Sequence, residues 1–385
     1  MIKPAGALCN LACDYCFFSH KTELLNSNKV MPAPVLETFI RDYIASQPDE
    51  VVVFTWQGGE PTLAGLDFYR QVVELQKRYC PPGKYIENDL QTNGTLLDAE
   101  WFTFLKENRF LVGLSVDGPP ELHDLHRRYR NGAPGSTKIR ECAPELKARG
   151  IPFNTLTAVN RDNAKHPLEV YRYLRDQLGA EHIQFLPVVE TCEFETVAPG
   201  FWDWNALKSG QEIVTPWSVE PMEYGKFLTE IFKEWFRYDY GKRFIYLFEA
   251  LLGIWAGYRS PICTLAPSCG GALALDSDGT LYCCDRFCYP AYKLGNIMET
   301  PLTELAARNA NKIFSRFKAG LPKQCRECEY LFACHGECPK NRFRLTPDGD
   351  PALNYLCEGW RYFLGEIKPT MDQLAAQLKA APRTP

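Results

Sequence analysis

No stretch of this sequence approaches the run of about 20 apolar residues that a membrane-spanning helix requires. The segment before the first cysteine, Met1–Leu8, is also too short for a secretory signal. A strong charge excess is absent too, since the net charge is −4 over 385 residues. Such a balance gives no indication of a nucleic-acid or anionic-membrane partner. We therefore expect a cytoplasmic protein that binds neither nucleic acid nor membranes.

Cysteine, by contrast, is abundant, with 16 residues. In a small secreted protein this number would indicate disulfides, but in a long chain without an export signal it indicates metal or redox chemistry. Most of these cysteines fall into spacings typical of cluster ligands: Cys9, Cys13, Cys16, Cys263, Cys269, Cys284, Cys325, Cys328, Cys334, Cys338 and Cys357. The composition therefore predicts an oxygen-sensitive iron–sulfur protein.

Three of these cysteines, Cys9, Cys13 and Cys16, lie close together in a Cys-x3-Cys-x2-Cys spacing. Three thiolates can bind three irons of a 4Fe–4S cube, which leaves the fourth iron without a protein ligand. An open metal position is typical of a site that binds and activates another molecule. A zinc site is the alternative, but it would need a fourth ligand, for which only His20 lies nearby.

Runs typical of strands alternate with runs typical of amphipathic helices from residue 1 to about residue 190. The predicted strands are Met1–Lys3, Val51–Trp56, Tyr85–Gln91, Leu111–Val116, Pro152–Ala158 and Ile183–Pro187. The intervening runs carry apolar residues at helical spacing, such as Leu36, Phe39 and Ile40. Six such repeats imply an α/β fold with a parallel sheet, either doubly wound or curled into a partial barrel.

Polar and glycine-rich loops follow several of the predicted strands. They are the cysteine loop, Gln57–Pro61, Thr92–Thr95 and Ser115–Gly118. Ligands bind at the carboxyl ends of parallel strands, so these loops are candidates for one site. Glycines in Gln57–Pro61 would let the backbone approach a ligand closely, and Glu60 could accept a hydrogen bond from an ammonium group. Each loop alone can also be an ordinary turn.

The remaining cysteines form two blocks in the C-terminal part, Cys263-x5-Cys269-x9-Gly279-x4-Cys284 and Cys325-x2-Cys328-x5-Cys334-x3-Cys338, followed by Cys357. Eight thiolates suffice for two fully ligated 4Fe–4S clusters or for two zinc sites, and the spacing alone does not decide between them. Cys283 ends a predicted strand, Thr280–Cys283, and Cys284 directly follows it, so in an extended chain only one of the two can face a cluster. Cys288 is surplus.

Helices are predicted over Met222–Tyr240, Phe244–Tyr258 and Met371–Ala381, after a segment from about Glu190 to Met222 that resembles a linker. We divide the chain into a barrel domain at residues 1–230, linker helices and a cysteine-rich domain at 231–362, and a C-terminal helix at 363–385.

Several motifs together resemble one family. They are the Cys9–Cys16 loop, Trp56–Leu63, Gln91–Gly94, Leu114–Pro119, Cys284–Phe287 and Tyr292–Ile297. This set resembles the anaerobic sulfatase-maturating enzymes, which are radical S-adenosylmethionine (SAM) enzymes, and the resemblance runs from about Met1 to Tyr362. It implies a partial (β/α)6 barrel with a C-terminal SPASM domain that binds two auxiliary 4Fe–4S clusters. It also implies oxidation of a sulfatase cysteine or serine to Cα-formylglycine.

The resemblance assigns roles to individual residues. SAM would contact Tyr15, Gly59, Glu60, Asn93, Ser115, Arg127 and Leu186, with Glu60 near its amino group, Arg127 on its carboxylate and Leu186 on its adenine. One auxiliary cluster would be held by Cys263, Cys269, Cys284 and Cys338, and the other by Cys325, Cys328, Cys334 and Cys357. Asp285 would accept a proton from the target residue after a SAM-derived radical removes a Cβ hydrogen and while an electron passes to an auxiliary cluster.

The implied partners are an unfolded or nascent sulfatase segment and an electron donor such as flavodoxin or ferredoxin. Two alternatives stay open: a SPASM enzyme that crosslinks a ribosomal peptide, and a non-catalytic iron–sulfur electron carrier. The sequence does not decide whether cysteine or serine is the target.

Overall fold

The computed structural model describes residues 1–25, 27–204, 213–310 and 314–380. The chain folds into two compact units. The first contains Met1–Leu156 and Gly270–Phe314, and the second contains Thr157–Cys269 and Ser315–Pro385. Within the described ranges, we find no helix with the length and apolar character needed to cross a bilayer.

The helices and strands alternate through the first half of the chain. The strands are β1 Val51–Trp56, β2 Tyr85–Thr92, β3 Leu111–Ser115, β4 Phe153–Val159, β5 His182–Pro187, β6 Phe244–Ile245, β7 Ala274–Leu275, β8 Thr280–Tyr282 and β9 Lys293–Asn296. The helices are α1 Thr22–Leu25, α2 Ala33–Ser46, α3 Leu66–Tyr79, α4 Ala99–Glu107, α5 Pro120–His126, α6 Ser136–Ala148, α7 Pro167–Arg172, α8 Pro221–Tyr238, α9 Tyr246–Trp255, α10 Leu302–Ala310, α11 Phe314–Ala319, α12 Lys323–Arg326, α13 Leu331–Cys334 and α14 Cys357–Ala380.

In the first unit, β1, β2, β3 and the start of β4 form a parallel sheet in chain order. Residues of the predicted apolar helix faces are buried, including Leu36, Phe39 and Ile40 of α2. Aromatic side chains of β1 and α3 pack together, with Trp56 and Tyr69 ring centroids 5.8 Å apart. The alternation of parallel strands and helices confirms the predicted α/β class.

A small antiparallel sheet, β7-β8-β9, belongs to the same unit. Ile2 connects it to the parallel strands, because Ile2 forms parallel bridges with both Trp56 of β1 and Leu275 of β7. Met1–Lys3 was expected as a first strand, and the structure reduces it to these bridges. The cysteine loop therefore starts from a backbone that is held on both sides.

In the second unit, β5 and β6 pair in parallel, and α8 packs along α14. This packing requires glycine at residue 359, because a Cβ atom there would lie 1.7 Å from the Pro221 carbonyl oxygen. The last residues of β4 also belong to this unit, where the Val188 N–H donates to the Val159 carbonyl.

Some predicted helices differ from the observed ones. Phe244 and Ile245 form β6, so the helix expected over Phe244–Tyr258 is shorter, at Tyr246–Trp255. The C-terminal helix starts at Cys357 rather than Met371 and runs through the domain boundary expected at residue 363. Leu378 near the end of this helix is 47% exposed, and Ala381 lies outside the described residues. The expected domain limits stay a prediction.

Candidate functional site

The cysteine loop lies in the first unit, with its three thiols partly buried. The Ala12 N–H donates to the Arg128 carbonyl at 2.8 Å, and the Cys9 sulfur accepts from the Leu11 N–H at 3.4 Å. Burial raises the pKa of Cys9 to about 12, and it also raises the pKa of Cys13. These thiols therefore need a metal to become thiolates. Three soft donors in one short loop fit a 4Fe–4S cube with one open iron.

The Gly58-Gly59-Glu60 turn lies directly against the cysteine loop. The Gly59 N–H donates to the Gly6 carbonyl at 2.9 Å, and the Glu60 N–H donates to the Leu8 carbonyl at 2.6 Å. A Cβ atom on Gly59 would lie 2.0 Å from the Leu8 carbonyl oxygen. Only glycine fits at residue 59 while the two loops keep this contact.

The Glu60 carboxylate is buried and accepts several hydrogen bonds from the protein. One oxygen accepts from the Thr62 N–H, the Thr62 hydroxyl and the Thr92 hydroxyl, and the other accepts from the Asn93 N–H at 2.8 Å. Glu60 thus joins its own turn to the end of β2. Its expected bond to the SAM amino group stays a prediction, and these bonds leave little acceptor capacity for it.

Asn93 links the end of β2 to the cysteine loop. Its amide nitrogen donates to the Asn10 side-chain oxygen at 2.9 Å and lies 3.9 Å from the Cys9 sulfur. Asn10 in turn donates to the Thr95 hydroxyl at 2.8 Å. The Ser115 hydroxyl accepts from Gln91 at 3.1 Å. The expected ligand-contacting residues of the first unit are therefore held by neighbouring loops and strand ends.

A buried acidic residue that we did not predict holds two of the expected SAM contacts. Asp117 is 1% exposed and accepts from the Tyr15 hydroxyl and, at 2.9 Å, from Arg127 Nε. The backbone N–H of Asp117 donates to His123 Nδ1 at 3.2 Å. Burial opposes ionisation, but the charges of Arg127 and His123 together with the hydrogen bonds from Arg127 and Tyr15 outweigh it and hold the pKa of Asp117 below its usual value. Asp117 is therefore the counter-charge of Arg127. The expected contact of Arg127 with the SAM carboxylate stays a prediction.

Asp285, the expected proton acceptor, forms an ion pair with Lys3. Lys3 Nζ lies 2.5 Å from Asp285 Oδ1, with the lysine side chain 2% and the aspartate side chain 18% exposed. The same ammonium lies 3.9 Å from the centroid of the Phe18 ring. Burial would raise the pKa of Asp285, but the charge and hydrogen bond of Lys3 hold it below its usual value. Lys3 was not expected, because its partner is distant in sequence.

The C-terminal cysteines are divided between the units. Cys325, Cys328, Cys334 and Cys357 all line one cavity of about 450 Å³ in the second unit. Burial raises the pKa of Cys334 to about 12 and of Cys357 to about 11. Among the described residues, no three His, Cys, Asp or Glu side chains converge on a position for a single ion. Four thiols around one cavity fit a fully ligated cube, in which each thiolate binds a different iron.

The other expected set is Cys263, Cys269, Cys284 and Cys338. Cys263, Cys269 and Cys338 belong to the second unit and Cys284 to the first. Burial raises the pKa of Cys269 to about 11, and the neighbouring Cys338 and Cys263 contribute to the increase. This ligand set stays a prediction. So does the contact of adenine with Leu186, which is partly buried on β5 of the second unit.

Two surplus cysteines of the first unit have structural roles. The Cys283 thiol donates to the Tyr292 carbonyl at 3.0 Å. Cys288 is fully buried in an apolar cluster with Ala7, Phe18 and Tyr282. The Cys288 thiol also lies 3.7 Å from the carbonyl oxygen of Cys284, an expected cluster ligand.

Comparisons with known proteins agree with this geometry. Residues 5–174 match the family model of the radical SAM superfamily, and residues 267–329 match that of the SPASM iron–sulfur cluster-binding domain. The chain is 42% identical over 382 residues to a serine-type anaerobic sulfatase-maturating enzyme of Bacteroides thetaiotaomicron, covering 98% of this chain and 91% of the relative. The chain belongs to the anaerobic sulfatase-maturating enzymes. It is also 33% identical to a cysteine-type enzyme of Clostridium perfringens, with 98% of each chain covered.

A solved structure gives the same result. Native anSMEcpe with bound AdoMet and Cp18Cys peptide matches with a TM-score of 0.83 at 33% identity, covering 98% of both chains. The comparisons confirm the predicted fold class, a radical SAM barrel with a SPASM domain, and they confirm that the chain is a radical SAM enzyme. They also confirm iron–sulfur clusters and SAM as its cofactor classes. The individual ligand residues stay predictions.

Proposed function

We propose that this enzyme oxidises a cysteine or serine of a sulfatase to Cα-formylglycine. The observation that carries the proposal is the full-length similarity to sulfatase-maturating enzymes of both the serine and the cysteine type. The substrate is an unfolded or nascent sulfatase segment, the location is the cytoplasm, and the electron donor is a flavodoxin or a ferredoxin.

Oxidation of the target residue removes one hydrogen atom, one proton and one electron. When bound, SAM would supply the reagent that abstracts the hydrogen atom, and the clusters would accept the electron. The chain must accept the proton, and Asp285 is the candidate because it is a partly exposed carboxylate that directly follows an expected ligand, Cys284. For a cysteine target, water then replaces the sulfur, which leaves as sulfide.

Lys3 prepares Asp285 for this role in two ways. Its buried ammonium keeps the carboxylate ionised before the reaction, and their 2.5 Å contact fixes the carboxylate orientation. The same pairing makes Asp285 a weaker base, so proton transfer would require a target thiol or alcohol that becomes more acidic as it is oxidised.

Anaerobic incubation with reductant, SAM and a sulfatase-type peptide tests the proposal. A cysteine peptide should lose one sulfur and two hydrogens and gain one oxygen, whereas a crosslinked peptide would lose two hydrogens only. A serine peptide also loses two hydrogens, so its aldehyde must be trapped with a hydrazine. A non-catalytic electron carrier would form no 5′-deoxyadenosine.

The Asp285→Asn variant tests the proton acceptor. We expect it to cleave SAM and to form little aldehyde, while Asp278→Asn, in an exposed turn of the same unit, forms aldehyde normally. The double variant Lys3→Met/Asp285→Asn removes both charges of the pair and so avoids an unpaired buried lysine. If it folds and still forms little aldehyde, misfolding does not explain the loss of activity. Undiminished aldehyde formation by Asp285→Asn would exclude Asp285 as the base.

A further inference from the structure

Two buried cations, Lys318 and Arg342, lie among the cysteines of the second unit. Each is 1% exposed. A buried cation is costly unless an anion or a set of good acceptors compensates it.

The Arg342 guanidinium contacts the loop between Cys334 and Cys338. Its Nε donates to the Gly336 carbonyl and one terminal nitrogen donates to the His335 carbonyl, both at 2.8 Å. The other terminal nitrogen donates to the Lys318 carbonyl at 2.9 Å. Cys334 and Cys338 are the expected ligands of different auxiliary clusters, so this cation is fixed beside both.

The Lys318 ammonium contacts the other side of the same loop. It donates to the Glu337 carbonyl at 2.5 Å and to the Thr264 carbonyl at 2.7 Å. Thr264 follows Cys263 and Glu337 precedes Cys338, and both cysteines are expected to hold one cluster. The ammonium therefore lies between two backbone segments that carry ligands.

Within the described part of the chain, the hydrogen bonds of both cations go to backbone carbonyls, and neither cation forms an ion pair with a carboxylate. The nearby Glu337 carboxylate compensates their charge only in part, because burial still lowers the pKa of both side chains. The buried Glu337 carboxylate accepts instead from Asn341 at 3.0 Å and from Asn354 at 2.8 Å. A 4Fe–4S cube with four thiolates carries a net negative charge, which grows by one on reduction. Such clusters are the anions that this arrangement lacks.

We propose that Lys318 and Arg342 are the shared counter-charge of both auxiliary clusters and raise the reduction potential of each. The inference rests on the proposed ligand sets. A fixed positive charge stabilises the reduced cluster more than the oxidised one, because the reduced cluster is more negative. The clusters thereby become better acceptors for the electron that leaves the oxidised target residue.

Redox titration of the reconstituted full-length enzyme, followed by electron paramagnetic resonance, tests this role. In Arg342→Gln we expect reduction of both auxiliary clusters to become about tenfold less favourable, which is about 59 mV for one electron. Lys318→Met should lower at least the potential of the cluster expected at Cys263 and Cys338. Arg342→Lys should keep the wild-type potentials. Arg344→Gln, an exposed arginine two residues away, is the matched control.

Unchanged potentials in Arg342→Gln at full iron content would overturn the proposal, as would an equal shift in Arg342→Lys. If Arg342→Gln loses iron and Arg342→Lys does not, the charge is required for cluster binding, which supports the proposal. Loss from both variants would show that the hydrogen bonds matter rather than the charge. The titration needs no sulfatase peptide, so an enzyme with shifted potentials but no aldehyde product would refute only the proposed function.

Discussion

The two cysteine-rich regions differ in how their buried cations are balanced. In the first unit, Arg127 is paired with Asp117 and Lys3 with Asp285, so each cation has a carboxylate of its own. In the second unit, Lys318 and Arg342 contact backbone carbonyls instead. The first region must stay stable whether or not SAM is bound, whereas fully ligated clusters would be permanent parts of the second. For these four cations, internal charge balance accompanies the exchangeable ligand and open charge accompanies the resident clusters, whereas the buried Lys340 of the second unit pairs with Glu190 at 2.5 Å.

The largest expected difference between the regions appears when one cysteine is removed from each. Cys13→Ala and Cys334→Ala should each lose about four irons, the content of one cluster. Only Cys13→Ala should also abolish SAM binding, because only the first cluster is expected to have an open iron. Iron analysis and equilibrium dialysis with SAM measure both effects. Loss of SAM binding in Cys334→Ala would contradict this division of roles between the two clusters.

The second prediction concerns the paired cation Lys3. Lys3→Met removes the main counter-charge of Asp285, and we expect it to lower the free energy of unfolding by about 3–5 kcal/mol. The double variant with Asp285→Asn should recover part of that loss, as a double-mutant cycle in anaerobic thermal unfolding would show. Lys368→Met removes an exposed pair with Asp372, and we expect it to change the free energy of unfolding much less. Equal losses at both sites would contradict the assigned role of burial.

The third prediction separates positioning from charge at Arg127. Asp117→Asn should weaken SAM binding about 10- to 100-fold, because Arg127 and Tyr15 lose the side chain that orients them. Asp67→Asn, in which an almost fully exposed carboxylate is replaced, should leave the Kd unchanged. Tighter SAM binding by Asp117→Asn would instead show that neutralising Arg127 limits its attraction for the ligand.

The smallest predicted effect is a pH dependence from His123, which contacts Asp117. Burial lowers the pKa of His123 to about 4, against the opposing charge of Asp117, while Arg127 and Asp124 also face it. The unfolded chain therefore binds more protons between pH 6.5 and 4, and this residue reduces stability as the pH falls through that range. At pH 5.5 the reduction is about 1 kcal/mol. The His123→Asn variant should not show this loss of stability at low pH. Unfolding curves of both proteins at pH 5.5 and 7.5 measure the effect. An equal change in stability between the two pH values in both proteins would contradict the prediction.

Local patterns predicted much of the fold and of the candidate site. The range of β1 was predicted correctly, and the turns at Gly59 and Asn93 lie beside the cysteine loop as expected. The start of α14 was missed because Gly359, Gly365 and Pro369 are unfavourable in helices, and packing against α8 outweighs that preference. Asp117 and Lys3 were missed because their partners become visible only in three dimensions.

The bridges of Ile2 and the ion pair of Lys3 have a consequence for biosynthesis. Lys3 and Asp285 are 282 positions apart, and Ile2 pairs with Leu275. During translation, the N-terminal residues leave the ribosome first, but these contacts can form only after most of the polypeptide has been synthesised. A nascent chain shorter than about residue 285 therefore holds an unpaired lysine where the finished protein buries it. Chaperone binding or early cluster insertion would therefore matter most during that interval, while the partners of Ile2 and Lys3 are still missing.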